Sequence, residues 1–359
     1  MPGKEQILKA LRQVNDPEIG KDIVSLNMVD SIQVDGGAVK VKVMLTTPAC
    51  PLKDAISSSV KKAVMEVPGV ETVHVDMDAN VSSSREQKPD ERLPQVRNII
   101  AVGSGKGGVG KSTVAVNLAM ALSQAGASVG LLDVDLYGPS VPVLMGIKDA
   151  HPSAVSVDGV EKMAPVEQNG IKIFSMGFLM QENDAVVWRG PLLHKAVQQF
   201  LEDVHWGALD YLVVDLPPGT GDIQISLSQL VPISSAVVVT TPQDLAYADV
   251  RRAVKMFEVT KVPILGIIEN MAGFACPKCG TVTDVFGKGL IKKHTEELGL
   301  DYLGALPLDP AIAPGGDKGV PILIEAPDSA SAEALRKLAS VVAGKQSVVA
   351  HTGSAPDVH

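Results

Sequence analysis

The residues best equipped for chemistry lie in the stretch AVGSGKGGVGKSTVAVNLAM, residues 101–120. Gly105, Lys106, Gly107, Gly108, Val109, Gly110, Lys111 and Ser112 satisfy G-x-x-x-x-G-K-S/T in full, with Thr113 directly behind. Glycines let successive peptide N–H groups turn inward around phosphate oxygens, and the helix that follows offers its N-terminus to the same anion. Lys111 then reaches the β and γ phosphates of ATP, and the Ser112 hydroxyl ligates Mg²⁺. One lysine suffices for that charge, so Lys106 requires its own explanation. Carboxylates close the apolar runs: Asp133 and Asp135 in LLDVDLYGPS, Asp215 in LVVDLPPGTGD. Asp215 is placed to hold Mg²⁺ through water. For Asp133, a helix-capping role is an equal alternative. Gly219, Thr220, Gly221 and Asp222 follow as a switch-like turn, and Asn270 ends GIIENM with an amide able to donate to and accept from a base edge.

Cys276 and Cys279 form a C-x-x-C, which sets two thiolates on one metal centre, with Pro277 and Gly280 supporting a tight turn. A tetrahedral zinc or a cubane cluster needs four protein ligands. The remaining cysteine, Cys50, belongs to another part of the chain, and His294 stands alone on an expected helix. The pair is therefore half a site, which a two-fold dimer would complete as four cysteines. Spacing alone leaves zinc open, while a thioredoxin-like disulfide lacks its strand-to-helix context. Pro51 reads as the first residue of a helix, which puts Cys50 at the N-cap, where the dipole favours thiolate. A small buried hydrophobe is an equal reading of Cys50.

These groups must be positioned by a chain of 359 residues, 45% hydrophobic but only 3% aromatic, with net charge -9. Such a composition favours α/β architecture, and such a charge disfavours nucleic acid and anionic lipid as partners. With no basic-then-apolar leader and no apolar run of membrane length, a cytoplasmic protein is expected. Residues 1–80 read as a small α+β domain: helices in GKEQILKALRQV and DAISSSVKKAVMEV, alternating strands in AVKVKVMLTT and VETVHVDM. His74 falls on one strand face and reads as structural. Residues 81–95 read as a linker, nearly free of apolar side chains. From residue 96 to 345, NIIAVGS, ASVGLLDVD, DYLVVDLPP, SAVVVTTP and PILGIIEN are continuous apolar strands separated by helical stretches, a P-loop domain with a mostly parallel sheet between helix layers. Residues 346–359 read as a flexible tail.

A lysine at the second loop position resembles the deviant Walker A ATPases, the class of MinD, ParA, ArsA and the nitrogenase iron protein. That resemblance implies that Lys111 works in cis while Lys106 crosses a dimer interface to the partner's nucleotide, as an arginine finger does. It further implies that Asp135, in the switch I position, orients the attacking water or Mg²⁺, and that Asn270 reads adenine. SMGFLM, WRGP, TTPQDLA, PILGIIENM, CPKCG and LPLDP together resemble the Mrp/ApbC family of iron–sulfur cluster carrier ATPases over residues 97–325, with Ala272 where serine is expected. DPEIGKDIVSLNMV and TTPACP resemble a SufT-like domain. The resemblance implies a homodimer that hydrolyses ATP, holds a 4Fe–4S cluster on Cys276 and Cys279 and passes it from scaffold to client apo-proteins. Arg189 in WRGP would contact phosphate or the partner subunit, or form a plain ion pair. The alternatives are a MinD/ParA-type positioning ATPase, which needs a basic amphipathic helix or surface, and a zinc-stabilised ATPase scaffold.

Overall fold

Alternating segments and continuous apolar runs sort into separate sheets in the computed structural model, which describes residues 2–85, 92–136, 138–179, 190–243, 245–276, 278–279, 281–287 and 290–353. The N-terminal unit is α1 (Lys4–Leu11), β1 (Val29–Asp35), β2 (Ala38–Leu45), α2 (Lys53–Met65) and β3 (Thr72–Ala79). Central β2 runs antiparallel to β1 and parallel to β3. Its alternate residues Val39, Val41, Val43 and Leu45 are buried with Ile7 and Leu11 of α1 and Ile56, Val60 and Val64 of α2. One face of the sheet is thus covered by both helices, the arrangement a period of two demands.

The second unit begins with β4 (Val96–Gly103), α3 (Lys111–Gln124), β5 (Val129–Asp133), α4 (Val141–Leu144), β6 (Ser153–Val157), β7 (Val160–Ala164), β8 (Val166–Gln168) and β9 (Ile171–Ser175). It continues with α5 (Gly190–Asp203), β10 (Leu209–Asp215), α6 (Asp222–Leu230), β11 (Ser235–Thr240), α7 (Leu245–Val259), β12 (Ile264–Asn270), β13 (Phe274–Ala275) and β14 (Val282–Thr283). It closes with α8 (Ile291–Glu297), β15 (Tyr302–Leu306), α9 (Ile312–Asp317), α10 (Ile322–Glu325) and α11 (Ala330–Thr352). The main sheet has the order β15-β12-β11-β4-β10-β5-β9-β8 and is parallel except for β8. Successive residues of β4 feed opposite cores: Ile100 and Val102 pack with α3 and α11, Ile99 and Ala101 with α5 and α7. A sheet covered on both sides explains why these strands read as unbroken apolar runs. The β6–β7 hairpin and edge strand β8 are half-exposed and polar, and give no such signal.

Two segments depart from the sequence reading. The C-terminal segment expected to be flexible from residue 346 is helical to Thr352, and Gln346, Ser347, Val348 and Val349 are buried. The first residues of the expected linker are tied down: Arg97 Nη1 donates to Asn80 Oδ1 (2.8 Å) and to the Val81 carbonyl (3.0 Å), and Asn98 Nδ2 donates to the Ser82 carbonyl (2.9 Å). Residues 86–91 of that segment lie outside the described residues.

The two units meet through the loop 46–50 and Glu18. Tyr211 donates its phenolic O–H to Thr47 Oγ1 at 2.9 Å, and Ala49 is buried in the core formed by α3 and α11. The Glu18 carboxylate lies against Gly344 of α11. Burial first, and then the Asp16 charge, raise Glu18 from 4.5 to about 7, with Lys345 opposing. The folded chain therefore holds a proton that the unfolded chain releases, so this stabilisation is complete below the unfolded value and is lost as pH rises through about 7. Glu18→Gln keeps the shape without the charge. It should melt a few degrees above the parent protein near pH 8, with the two converging near pH 5. Thermal unfolding at both pH values tests this, and an equal gap at both would refute it.

Candidate functional site

The parallel strands β4, β5, β10, β12 and β15 all end on one rim of the sheet, and chain connections diverge to either side of β4. That is where open α/β sheets bind ligands. The loop after β4 is Gly105–Gly110, which gives way to α3 at Lys111. Its shape is enforced from two sides. A Cβ at residue 105 would collide with the Asp249 carbonyl of α7, and one at residue 110 with the amide of Asn270. Gly110 also adopts φ +81°, a conformation natural only to glycine. At Gly107 and Gly108 a Cβ would meet nothing, so the loop is open on the side where phosphate would lie. Ser104 donates its hydroxyl to the Lys106 carbonyl (2.9 Å), and Gly219 N–H donates to the Ser104 carbonyl (3.0 Å). The switch-like turn after β10 is thereby tied to the phosphate loop. Gln224 Nε2, donating to the Pro218 carbonyl at 2.6 Å, braces that turn.

Lys111 is 6% exposed, and its amine donates to Asp215 Oδ1 at 2.5 Å and to Ser112 Oγ at 3.3 Å, with Asp135 Oδ2 at 3.7 Å. Asp215 is fully buried, and its Oδ2 has no partner among the described residues. Burial raises the Asp215 carboxyl, and the Lys111 cation pulls it back. Such an orphaned buried oxygen, with Ser112 adjacent to the same amine, fits the water shell of a divalent cation. Asp133 has the structural role. It accepts from the N–H groups of Asp135 (3.0 Å) and Val141 (3.3 Å) and from the Ser175 hydroxyl (2.9 Å), pinning the loop that carries Asp135. Burial, then the Asp215 charge, push Asp133 up to about 8.

Lys106 is half-buried and places its amine 3.5 Å from Gln243 Oε1, just ahead of α7. Asn270 is buried and donates its Nδ2 to the Val109 carbonyl at 2.8 Å, so in this state its amide braces the phosphate loop. Beside it, Thr113, Asn117, Leu306, Pro307 and Leu335 line a small pocket. Asn117 Nδ2 donates to the Thr113 carbonyl (2.8 Å), leaving a buried Oδ1 without a partner among the described residues. Sequence reasoning passed over Asn117 and Gln243. An asparagine inside an otherwise apolar helix was the available signal for the first.

The cysteine pair lies at the tip of the β13–β14 hairpin. Cys276 N–H donates to the Thr281 carbonyl (3.0 Å), and Cys279 Sγ lies 3.3 Å from Thr281 Oγ1. Thr281, through its hydroxyl and then its N–H, holds the Cys279 thiol below the ordinary range, with Cys276 adding to the effect. Val282 is 67% exposed next to them, with Val285, Phe286 and Leu290 also at the surface. No group of three or more His, Cys, Asp or Glu among the described residues closes a metal site. Pro277, Gly280 and Arg189 lie outside the described residues. His294 stacks on Tyr247 at 3.9 Å, and His74 is an exposed partner of Asp76 (2.8 Å). No helix among the described residues is long and apolar enough to cross a membrane.

Cys50 is not at a helix N-cap. The turn 50–52 delays α2 to Lys53, with Leu52 as the cap. Burial therefore dominates, and with Glu18 and Asp16 nearby it pushes the thiol up to about 11. Of the two readings of Cys50, the thiol packed against the N-terminal core is the one the structure supports, and the activated thiolate is not.

Residues 95–343 match the family model described as NUBPL iron-transfer P-loop NTPase, and residues 4–75 match that of an iron–sulfur cluster assembly protein. The chain is 48% identical over 347 residues to the iron-sulfur cluster carrier protein of Synechocystis sp., covering 96% of this chain and 98% of that one. It is likewise 48% identical over 344 residues to the iron-sulfur cluster carrier protein of Deinococcus radiodurans, covering 96% of each. Among solved structures it is similar to the nucleotide-binding protein of Archaeoglobus fulgidus in complex with ADP, with TM-score 0.56, 40% identity, and 64% and 88% of the two chains covered. The Pyrococcus furiosus cell division ATPase MinD shares the fold at TM-score 0.52 and 22% identity, over 68% and 98%.

With Cys276 and Cys279 changed to serine, Cys50 is the single thiol left. Its alkylation by iodoacetamide near pH 8 should run about a hundredfold below that of free cysteine, since thiolate is the reactive form. The rate should climb with pH to a midpoint near 11. A rate equal to that of free cysteine would overturn the burial account.

Proposed function

As a member of the Mrp/ApbC family of iron–sulfur cluster carrier P-loop NTPases, to which the chain belongs, this protein, we propose, binds and hydrolyses ATP and holds a 4Fe–4S cluster between two copies of itself for transfer to client apo-proteins. The observation that carries the reading is one chain with an open phosphate loop and a surface pair of thiols for which no third ligand lies close among the described residues. Two ligands per chain ask for a second chain. Val282, paired with Ala275 beside Cys276, and the exposed Val285, Phe286 and Leu290 that follow it in the chain suit contact with that copy.

Gly105, Gly107, Gly108, Val109 and Gly110 would supply the N–H cradle, with Ser112 and Thr113 at the helix N-terminus. Lys111 holds Asp215 and Asp135 in the ligand-free chain; with ATP it would turn to the β and γ phosphates. That releases Asp215 and Ser112 to hold Mg²⁺, Asp215 through water. Mg²⁺, when bound, neutralises developing charge on the phosphate oxygens. Asp135, kept in place by Asp133, orients the attacking water. Lys106 would leave Gln243 to reach the nucleotide of the other subunit. Asn270, with the Asn117 pocket beside it, would face adenine. A positioning-type cycle on membrane or DNA is not favoured, because α11 spends its length packed in the core rather than as a free basic helix.

Lys111→Ala should lose nucleotide binding and, by leaving Asp215 buried without its cation, destabilise the chain by about 3–5 kcal/mol. Lys106→Ala should keep nucleotide affinity and lose hydrolysis, since a group from the partner acts in the transition state. Equal loss of binding in both variants, measured by calorimetry, would sink this division of roles. Anaerobic reconstitution should give one four-iron cluster per dimer, abolished by Cys276→Ala or Cys279→Ala with ATP binding retained. A monomer carrying four irons, read from native mass and iron content, would contradict the bridging site.

A further inference from the structure

Helix α7 has a second face, remote from the sheet, that the carrier reading does not use. On its exposed side it carries Arg251, Arg252 and Lys255 against the carboxylates Asp249 and Glu258, in a chain of net charge -9. Arg251, Arg252 and Lys255, with Glu258 beside Lys255, border an open groove of about 500 Å³ whose apolar lining is Ala248, Val254 and Leu298. Arg252 pairs with Asp249 (3.1 Å) and Lys255 with Glu258 (2.9 Å) within the helix. Arg251 has no ion-pair partner among the described residues. Exposed pairs one turn apart contribute little, so an incoming carboxylate exchanges for them readily.

The position of the groove matters as much as its charge. The first turns of α7 lie against the phosphate loop: the Asp249 carbonyl fills the space beside Gly105, and Gln243, just ahead of the helix, holds Lys106 at 3.5 Å. On the other side, Leu298 directly follows α8, the helix that leads away from the cysteine hairpin. Tyr247 stacked on His294 at 3.9 Å joins the two helices. The groove thus straddles a helix in contact with the nucleotide loop and one continuous with the thiols.

We propose that this groove docks an acidic segment of a partner protein, carboxylates on the Arg251, Arg252 and Lys255 rim and a small apolar side chain on Val254 and Leu298, and that docking is felt at the phosphate loop through α7. Its size suits a few residues of an extended or helical segment. The binding half stands on its own, and only the coupling half rests on the ATPase reading.

The test uses the full chain and a fluorescein-labelled peptide of alternating glutamate and leucine, followed by anisotropy, with a scrambled lysine–leucine peptide as control. The acidic peptide should bind with an affinity that falls with salt. Arg251→Glu/Lys255→Glu should weaken it by about tenfold or more, whereas Lys292→Glu/Lys293→Glu, on α8 outside the groove, should not. Basal ATP turnover should be the same in all three proteins, and the peptide should change it only where the groove is intact. Equal peptide binding by the reversed variant overturns the site. So does displacement of the peptide by a single-stranded oligonucleotide or phosphatidylserine vesicles at equal charge concentration, which would mark a general polyanion surface. Binding without any change in turnover overturns the coupling. Iron content plays no part in these readings, so their failure is distinct from failure of the carrier function.

Discussion

Among the described residues, one buried cation, Lys111, faces three buried carboxylates. Lys111 lies among Asp215, Asp135 and, one contact further, Asp133, all under 7% exposed. With every carboxylate ionised, three negative charges would crowd around one buried lysine in a poorly solvated interior, a costly state. Two features relieve it. Burial raises Asp133 and Asp215, which favours keeping protons there, and Lys111 folds back onto Asp215. The cluster requires the ends of β4, β5 and β10 to converge. The parallel register of these strands sets Asp133 directly beside Asp215. Strand order, loop shape and site electrostatics are therefore one constraint seen at three scales.

Around that cluster the phosphate loop is held from outside as well as by the Ser104–Lys106 bond. The Asp249 carbonyl limits residue 105 and the Asn270 amide limits residue 110, so helices and strands distant in sequence dictate where only glycine fits. Two residues expected to act on nucleotide, Lys106 and Asn270, are engaged with Gln243 and Val109. These contacts tie both side chains to the protein itself, Asn270 to the phosphate loop and Lys106 to the segment ahead of α7.

Legibility of the sequence tracked how cleanly one periodicity described each segment. NIIAVGS, DYLVVDLPP and PILGIIEN lie between two helix layers and could hardly be read otherwise. The G-x-x-x-x-G-K-S/T spacing located Lys111 and Ser112 because every position in it answers to backbone geometry. The failures share a cause. Gln346 and Ser347 look solvent-facing in a one-dimensional pattern, yet Gln346 is 1% exposed, donating to Asn98 Oδ1 (3.0 Å) and accepting from Ser235. Pro51 suits a first helical turn, but the chain turns there and starts the helix two residues later, in a place where burial outweighs the dipole. The β6–β7 hairpin and β8 stand at an edge, where neither face is fully covered. Cross-chain polar pairing and edge exposure are three-dimensional facts that local patterns do not encode.

The last helix also has a place in time. Leu335, Leu338, Ala339, Val342, Ala343 and Val349 of α11 complete the core on one side of the main sheet, over Ile100, Val102 and Val213. These residues follow every strand of the main sheet in chain order. The N-terminal unit has all its strands by Ala79, so its own core can close early in synthesis. The main sheet, in contrast, waits with one apolar face bare until α11 has been synthesised. During that interval the nascent chain exposes parallel strands without their cover, a period in which chaperones have most to do. A stop codon shortly before Leu335 would leave that face open permanently.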